Sequence, residues 1–354
     1  MSYSLTRTSK TGWLSILKDI ETATHTIDFE LFILDIDDVG IYFLNALRKK
    51  SREGVRVRLL IDAGGSYLLY MASTLKAEIR ADGVELSFFN HLIPLYPRTL
   101  SLWYFRNHRR SIIIDEKICY TGGICISKNM EEWRDTMIRV EEKNVTLDMG
   151  RAFQRMWNLS EHKLFDKRLK PMGTDWFYIT NAPLPGKYYY YNAFIDLIKK
   201  AKKEIFLTTP YFVPDHSFFR ALYRAQKRGV KVHLLIPHHS NHRFVDHAGD
   251  FYKHRLIKKG ARIYRYKKEM IHSKTAVIDD TGCVVGSMNL DNVSLRYNFE
   301  GGLIIKNTEC INELRQHFYE DIQGLNPISL TEWHNRPWSE KVIMYLTWPI
   351  RKLL

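Results

Sequence analysis

The 354-residue chain has only four cysteines, and none of them forms a Cys-x-x-Cys pair. Cys119, Cys125, Cys283 and Cys310 therefore spell neither a zinc site nor a disulfide framework. They fit small half-buried side chains in a reducing compartment. Long apolar runs are missing as well. The longest stretch without Asp, Glu, Lys, Arg or His is residues 63–75, 13 positions, short of the ~20 that a helix needs to cross a bilayer. The opening MSYSLTRTSK lacks the apolar centre of a secretion signal, so neither a leader nor a spanning anchor is expected. Acidic residues are in deficit, 39 against 53 Lys and Arg, for a formal charge of +14. Such a surplus favours anionic partners: phospholipid headgroups, nucleic acid or phosphorylated small molecules. Apolar residues at 45% and charged residues at 26% exclude wholesale disorder, and the length suggests two domains.

What the chain does contain is a copy of itself. ILKDIETATHTI from Ile16 matches FIDLIKKAKKEI from Phe194. Ile16, Leu17, Ile20 and Ala23, like Phe194, Ile195, Ile198 and Ala201, fall on one helical face before a strand begins at Ile27 or Ile205. FLNALRKKSREGVRVRLLID from Phe43 likewise matches FRALYRAQKRGVKVHLLIP from Phe219. Each reads as an amphipathic helix, a terminating glycine (Gly54 or Gly229) and a β-rich run. Strand, helix and strand in that order imply parallel pairing with right-handed crossovers in each half. The seam falls within residues 157–187, where Pro, Gly and charge concentrate.

Each half also carries one unusual cluster. HRRSIIID supplies His108, Arg110 and Asp115, followed by Gly122, Gly123 and Asp135; HSKTAVID supplies His272, Lys274 and Asp279, followed by Gly286, Ser287, Asn289 and Glu300. In both, the cation lies 2, the Asp 7 and the first Gly 14 positions after the His, and the later acid lies 27 or 28 after it. One such pattern is weak; two in register inside a duplication are not coincidence. Residues two apart on a strand share a face, so each His points the same way as its cation. An imidazole beside a fixed cation suits phosphodiester chemistry: the ring attacks phosphorus while the cation steadies the charge growing on the non-bridging oxygens. On this reading the Gly122–Gly123 and Gly286–Ser287 steps let backbone approach the phosphate, and Asn289 adds a neutral donor. Asp135 and Glu300 are suited to hold each His in one tautomer, which leaves open which acid serves which ring. Two halves related by a pseudo-two-fold axis would place both histidines in one site, one as nucleophile and one as acid and base. No metal and no cofactor is expected, since Arg110 and Lys274 stand where a metal site would want further ligands. The cluster His238, His239, His242, His247 and His254 repeats no ligand spacing and reads as loop and helix surface.

The doubled H-x-[KR]-x4-D pattern resembles the phospholipase D superfamily and, within it, the bacterial cardiolipin synthases of a compact type without N-terminal transmembrane helices. The similarity covers residues 16–323 and is densest in MIHSKTAVIDDTGCVVGSMNLDNVSLRYNFE, with PYFVPD from Pro210 and residues 241–266 also alike. The resemblance implies a duplicated α/β fold: two mixed or parallel-sheet halves packed about a pseudo-two-fold axis around one shared active site. The divisions expected are residues 1–165, residues 166–335 and a C-terminal segment, residues 336–354. It implies metal-independent phosphatidyl transfer through a phosphohistidine, with His108 as nucleophile and His272 as acid and base. Arg110 and Cys125 depart from the family, which carries Lys and usually Asn there. The alternatives are a hydrolytic phospholipase D or phosphodiesterase/nuclease using the same site, and a membrane-binding protein whose site has failed.

Two segments point to lipid rather than nucleic acid. Residues 91–110, HLIPLYPRTLSLWYFRNHRR, mix aromatics with arginines, and residues 336–354 place Trp338, Val342, Tyr345, Leu346 and Pro349 at helical spacing, with Trp348, Lys341, Arg351 and Lys352 interleaved. Both read as interfacial segments. The expected partner is an anionic phospholipid, phosphatidylglycerol with or without a second phosphatidyl donor. The expected location is peripheral, on the cytoplasmic face of the cell membrane, and the oligomeric state is open.

Overall fold

The computed structural model describes residues 2–91, 104–161, 171–183, 187–349 and 351. The first half runs β1 (Ser2–Thr8), α1 (Ser9–Thr22), β2 (Thr26–Leu31), α2 (Asp38–Arg52), β3 (Arg56–Asp62), α3 (Tyr67–Met71), α4 (Ser73–Ala81), β4 (Glu85–Phe89), β5 (Ser111–Ile114), β6 (Ile118–Gly122), β7 (Arg134–Glu141) and α5 (Lys143–Ser160). The second half begins β8 (Trp176–Asn181), α6 (Tyr189–Lys200), β9 (Glu204–Thr208), β10 (Phe212–Val213), α7 (His216–Lys227), β11 (Lys231–Pro237), α8 (Arg243–Ala248), α9 (Asp250–Ile257) and β12 (Arg262–Tyr266). It continues through β13 (Thr275–Ile278), β14 (Gly282–Gly286), β15 (Leu290–Asp291), α10 (Asn292–Arg296), β16 (Glu300–Ile305), α11 (Thr308–Asp321), α12 (Leu330–His334) and α13 (Trp338–Thr347).

The same local signals start and stop corresponding helices. Asp37 and Asp215 cap α2 and α7, their carboxylates accepting the Gly40 and Phe218 N–H groups at 2.9 and 2.8 Å. Gly54 and Gly229 follow those helices at φ +92° and +89°, a left-handed conformation that costs other residues more. Each half then builds a seven-stranded sheet, in the orders β4-β3-β2-β5-β6-β7-β1 and β12-β11-β9-β13-β14-β16-β8. The two match strand for strand. Only the β2–β3–β4 and β9–β11–β12 pairings are parallel; the others within these sheets are antiparallel, so the sheets are mixed. The edge strands β1 and β8 lie ahead of the amphipathic repeat, which gives no sign of them.

Apolar faces bury in three layers. Ile16, Ile20, Phe29 and Phe43 pack beneath α1 and α2, and Phe194, Ile198, Phe218 and Leu222 fill the matching place in the second half. Between the sheets lies a shared core that includes Phe89, Ile138, Phe206, Val285, Phe299 and Leu303, with Phe153 of α5 and Phe318 of α11. A core built from both halves fixes how they sit together, as one continuous close-packed interior does. Short bridges cross it: His108 N–H donates to the Phe299 carbonyl at 3.0 Å, and His272 N–H to the Arg134 carbonyl at 2.8 Å. The 165/166 divide falls within residues 162–170, outside the described residues.

Asp115 and Asp279, expected among the catalytic residues, are placed elsewhere. Each follows its strand, β5 or β13, at the end away from the histidine, about 20 Å along an extended chain of seven residues. Asp115 accepts the N–H groups of Thr24, His25 and Thr26 at 2.7–2.8 Å, and Asp279 those of Lys202, Lys203 and Glu204 at 2.7–2.8 Å. Both sit at positive φ, +51° and +47°, which Asp tolerates in turns. Their work is to pin a hairpin turn to the connection entering β2 or β9. Burial raises the Asp115 pKa, but the Thr26, Thr24 and His25 N–H groups outweigh it and hold the carboxyl below its usual range. That stabilisation is full above the ordinary carboxylate pKa and is lost as pH falls through the lower folded value. Asp115→Ala and Asp279→Ala should each destabilise the fold by about 2 kcal/mol, a charged acceptor's share discounted for solvent. Urea unfolding measures the loss; unchanged midpoints would contradict the role.

Candidate active site

The histidines stand just ahead of β5 and β13, at the sheet edge where the parallel strands β2, β3, β9 and β11 end. Such C-terminal strand edges are where open α/β sheets present ligand sites. The two orienting acids are exchanged between the halves. His108 Nδ1–H donates to Glu300 Oε1 at 2.8 Å, and His272 Nδ1–H donates to Asp135 Oδ2 at 2.7 Å. The bridges described above explain the exchange, because Phe299 and Arg134 immediately precede Glu300 and Asp135. With Nδ1 engaged, Nε2 is the nitrogen each ring has left for a substrate, with the Ser287 backbone a further neighbour of the His108 ring. Phe32 lies edge-on to the His108 ring at 4.8 Å between centroids, and Trp133 flanks His272 at 5.1 Å.

Arg110 Nη1 donates to the His108 carbonyl and Lys274 Nζ to the His272 carbonyl, so each cation is tied to its own histidine's backbone. Arg110 and Lys274 both influence Glu300 and both rings, which makes the pair of clusters one electrostatic site. Burial, with Arg110 and Lys274 adding to it, pushes His108 well below the usual range. Burial and Lys274 push His272 down to about 3 despite Asp135. Burial also lowers Lys274 to about 7 and raises Glu300 to about 7. Asp135 stays low: burial opposes its charge, but Lys274 and His272 outweigh it. Two neutral imidazoles beside two cations in a dry site can attack an electrophile and move a proton while holding an anion.

The glycines, expected to let backbone approach phosphate, stand where protein itself packs closely. A Cβ at Gly123 would overlap the Asp135 carboxylate, and one at Gly286 would lie 2.7 Å from the Gly301 carbonyl and the Gly302 Cα. Gly122 would likewise meet Thr136 and Met137. These positions let strands and the orienting acid come close. Ser287 supports an acid too: its hydroxyl donates to Glu300 Oε2 and accepts the Gly301 N–H at 3.0 Å. Asn289 is buried, and its Oδ1 has no partner among the described residues.

The sequence reading missed a second set of supports. Asp62, ending β3, accepts the Asn107 N–H at 2.9 Å and the Gly64 and Gly65 N–H groups at 2.9 and 3.0 Å. Glu30 of β2 accepts from Asn107 Nδ2 at 2.9 Å, so the residue before His108 is held at backbone and side chain. Arg134 binds Asp321 through Nη2 at 2.6 Å and Ser273 Oγ through Nη1 at 3.1 Å, bracing the residue after His272. An acid closing a buried strand was the one available signal for Glu30 and Asp62. The five histidines between His238 and His254 scatter over a loop, α8 and α9, with His254 stacked on Trp333. Among the described residues no group of three or more His, Cys, Asp and Glu could hold a metal ion.

The family model for the cardiolipin synthase phospholipase D-like domain matches residues 16–157 and again residues 194–322. The chain belongs to this family. It is similar to the cardiolipin synthase of Clostridium perfringens (strain 13), 30% identical over 344 residues, covering 91% of this chain and 70% of that protein. It is 32% identical to cardiolipin synthase 1 of Staphylococcus aureus (strain COL) over 341 residues, covering 92% of this chain and 68% of that one. The fold matches the crystal structure of phosphatidylserine synthase from Haemophilus influenzae at TM-score 0.79 and 12% identity, covering 99% and 95% of the two chains. It also matches polyphosphate kinase from Porphyromonas gingivalis at 0.65 and 12%, covering 99% and 53%. These structural likenesses establish the fold expected for the family: two mixed-sheet halves around shared packing.

Neutrality of the rings is directly checkable. In the ligand-free protein His272 should show no titration between pH 5 and 8, its midpoint lying near 3. Nitrogen-15 shifts of labelled histidine report this, and a midpoint near the ordinary 6.5 would contradict the buried pairing.

Proposed function

We propose that the chain is a phosphatidyltransferase of the cardiolipin synthase type, joining phosphatidyl groups through a phosphohistidine. The observation that carries this reading is the exchanged pair of His–carboxylate bonds with a cation tied beside each ring. A phosphodiester seated between Arg110 and Lys274 brings a negative charge that offsets the two cations depressing His272, so the ring can take up a proton. His108 Nε2 then attacks phosphorus. The P–O bond to the departing alcohol breaks as His272 delivers its proton to that oxygen. Glu300 stabilises the positive charge left on the phosphorylated His108 ring. In the second step neutral His272 accepts the proton of an incoming hydroxyl, whose oxygen displaces His108. With phosphatidylglycerol as donor and acceptor the products are cardiolipin and glycerol. The anion is held by side-chain charge, and no step calls for a metal.

A peripheral position on an anionic membrane, on its cytoplasmic face, belongs to the same proposal. All four cysteines are free and buried, which suits a reducing compartment. Among the described residues no helix is long and apolar enough to cross a membrane. On α13, Trp338, Tyr345 and Leu346 are 78%, 72% and 69% exposed and share one face with Val342. Trp348, expected among the segment's interfacial side chains, turns inward instead: it packs on Phe251 at 4.1 Å and Tyr252 at 5.9 Å, since these rings give it a dry seat. Arg336 fixes the start of the segment, pairing with Asp250 and lying 3.7 Å over the Trp333 ring. Residues 336–349 are thus docked at both ends with an apolar face outward. Helix α13 packs against α8, which follows β11 at the sheet edge of the site. Most of the other interfacial segment, residues 92–103, lies outside the described residues; Tyr104 beside it is half-exposed.

Two outcomes test this. Incubated with phosphatidylglycerol vesicles and EDTA, the wild type should form cardiolipin and glycerol. His108→Ala and His272→Ala should each abolish nearly all of it, and the double variant should be little worse, as for groups serving one mechanism. Phosphatidic acid as the main product would replace transfer by hydrolysis, and near wild-type activity of His108→Ala would overturn the two-histidine site. Separately, Trp338→Ala, Tyr345→Ala and Leu346→Ala combined should weaken sedimentation with such vesicles by about tenfold or more, from lost apolar burial. The melting temperature should hold. Unchanged binding would remove α13 from the membrane contact.

A further inference from the structure

The internal duplication exposes a mismatch at the site. Two positions after each histidine stands a cation, and 17 after it a second inward residue: Arg110 with Cys125 in one half, Lys274 with Asn289 in the other. Both cations make the same backbone bond to their histidine's carbonyl. They differ in what is left over. Among the described residues the Lys274 ammonium shows no further hydrogen bond, whereas Arg110 Nη2 donates to Cys125 Sγ at 3.2 Å, and its Nε has no partner among them. Arg110 and Cys125 are both sealed in, each 1% exposed. The guanidinium carbon also lies 5.6 Å from the Phe32 ring centroid.

The flat fork of arginine is larger than an ammonium and aims its donors in fixed directions. Anchored by one nitrogen to a carbonyl, it still needs something to set its plane, and the thiol supplies that. Sulfur is a weak acceptor, so Nη2 can turn to a phosphate oxygen at little cost. An asparagine at 125 would add two heavy atoms against a buried guanidinium, where overpacking is costly. A lysine at 110 would leave the thiol without its donor and a gap where the fork had been.

We propose that Arg110 and Cys125 form one coupled phosphate-holding unit, the counterpart of Lys274 with Asn289, in which Cys125 positions the guanidinium. The unit can be exchanged for its counterpart only as a whole. The proposal rests on the phosphodiester reading of the site.

The test compares Arg110→Lys, Cys125→Asn and the double variant, with Cys125→Ala and Cys125→Ser as a second pair. Each of the two single exchanges should lower kcat by about 30-fold or more with KM for phosphatidylglycerol little changed, within the range of one lost stabiliser of transition-state charge. The double variant should regain at least about threefold over either single, a coupling within the range of touching residues. Cys125→Ser, which keeps an acceptor, should exceed Cys125→Ala. Affinity for tungstate, a tetrahedral oxyanion, is measured calorimetrically on the same proteins and should follow the same order. A double variant as poor as the product of the singles would overturn the coupling, as would Arg110→Lys at wild-type activity. If the wild type forms no cardiolipin, the phosphatidyltransferase reading fails, and tungstate affinity alone judges the unit: loss in the singles and recovery in the double supports it, equal affinity throughout overturns it. If Cys125→Asn does not fold, the Ala and Ser pair decides, with equal kcat and equal tungstate affinity as the overturning result.

Discussion

Both histidines receive their orienting carboxylate from the opposite half of the chain, and much of the architecture follows from that exchange. A bond such as His108 Nδ1 to Glu300 at 2.8 Å has value only if the ring cannot swing, which demands a rigid path between two sheets. The shared core of Phe89, Phe206, Phe299 and Leu303 provides it. The bridges at Phe299 and Arg134 then carry the register across at backbone level. A buried imidazole without its acid would sit in apolar surroundings with an unmet donor, a penalty of about 1–3 kcal/mol, so packing and chemistry select the same arrangement.

Charge follows from the same geometry. Asp135 sits near Lys274 and keeps its proton off, while burial in the first-half pair raises Glu300 to about 7. The duplicated site is therefore electrically lopsided, although its hydrogen bonds are symmetric. Arg110 and Cys125 add to the difference on the side of His108. A duplicated fold has two equivalent positions for every function, and unequal surroundings let the two rings take unequal roles.

How much could be read in advance depended on what repeats. The helices at Ile16 and Phe194 and the glycines at 54 and 229 were legible because amphipathic period and helix termination are local. The meeting of His108, Arg110, His272 and Lys274 in one place was legible because a spacing occurring twice cannot easily be accidental. That same spacing misled at Asp115 and Asp279, since a turn anchor recurs in a duplicated fold as faithfully as a catalytic group does. It could not show the crossing of Asp135 and Glu300 either, because positions along the chain carry no record of which half an acid faces. Trp348 shares helical spacing with Tyr345, and only the rings of Phe251 and Tyr252 decide which way it turns.

The exchange also bears on how the molecule comes into being. His108 and its acid are separated by 192 residues, and His272 and its acid by 137. During synthesis the first sheet can close once β7 has emerged, yet at that stage His108 has no carboxylate and Asp135 has no ring to hold. Glu300 arrives in the last-emerging strand of the second sheet, ahead of α11, α12 and α13. Contacts of such long range form late in folding. On the proposed mechanism, reactivity toward phosphate esters is thus withheld from the nascent chain until the second sheet has formed and closed upon the first.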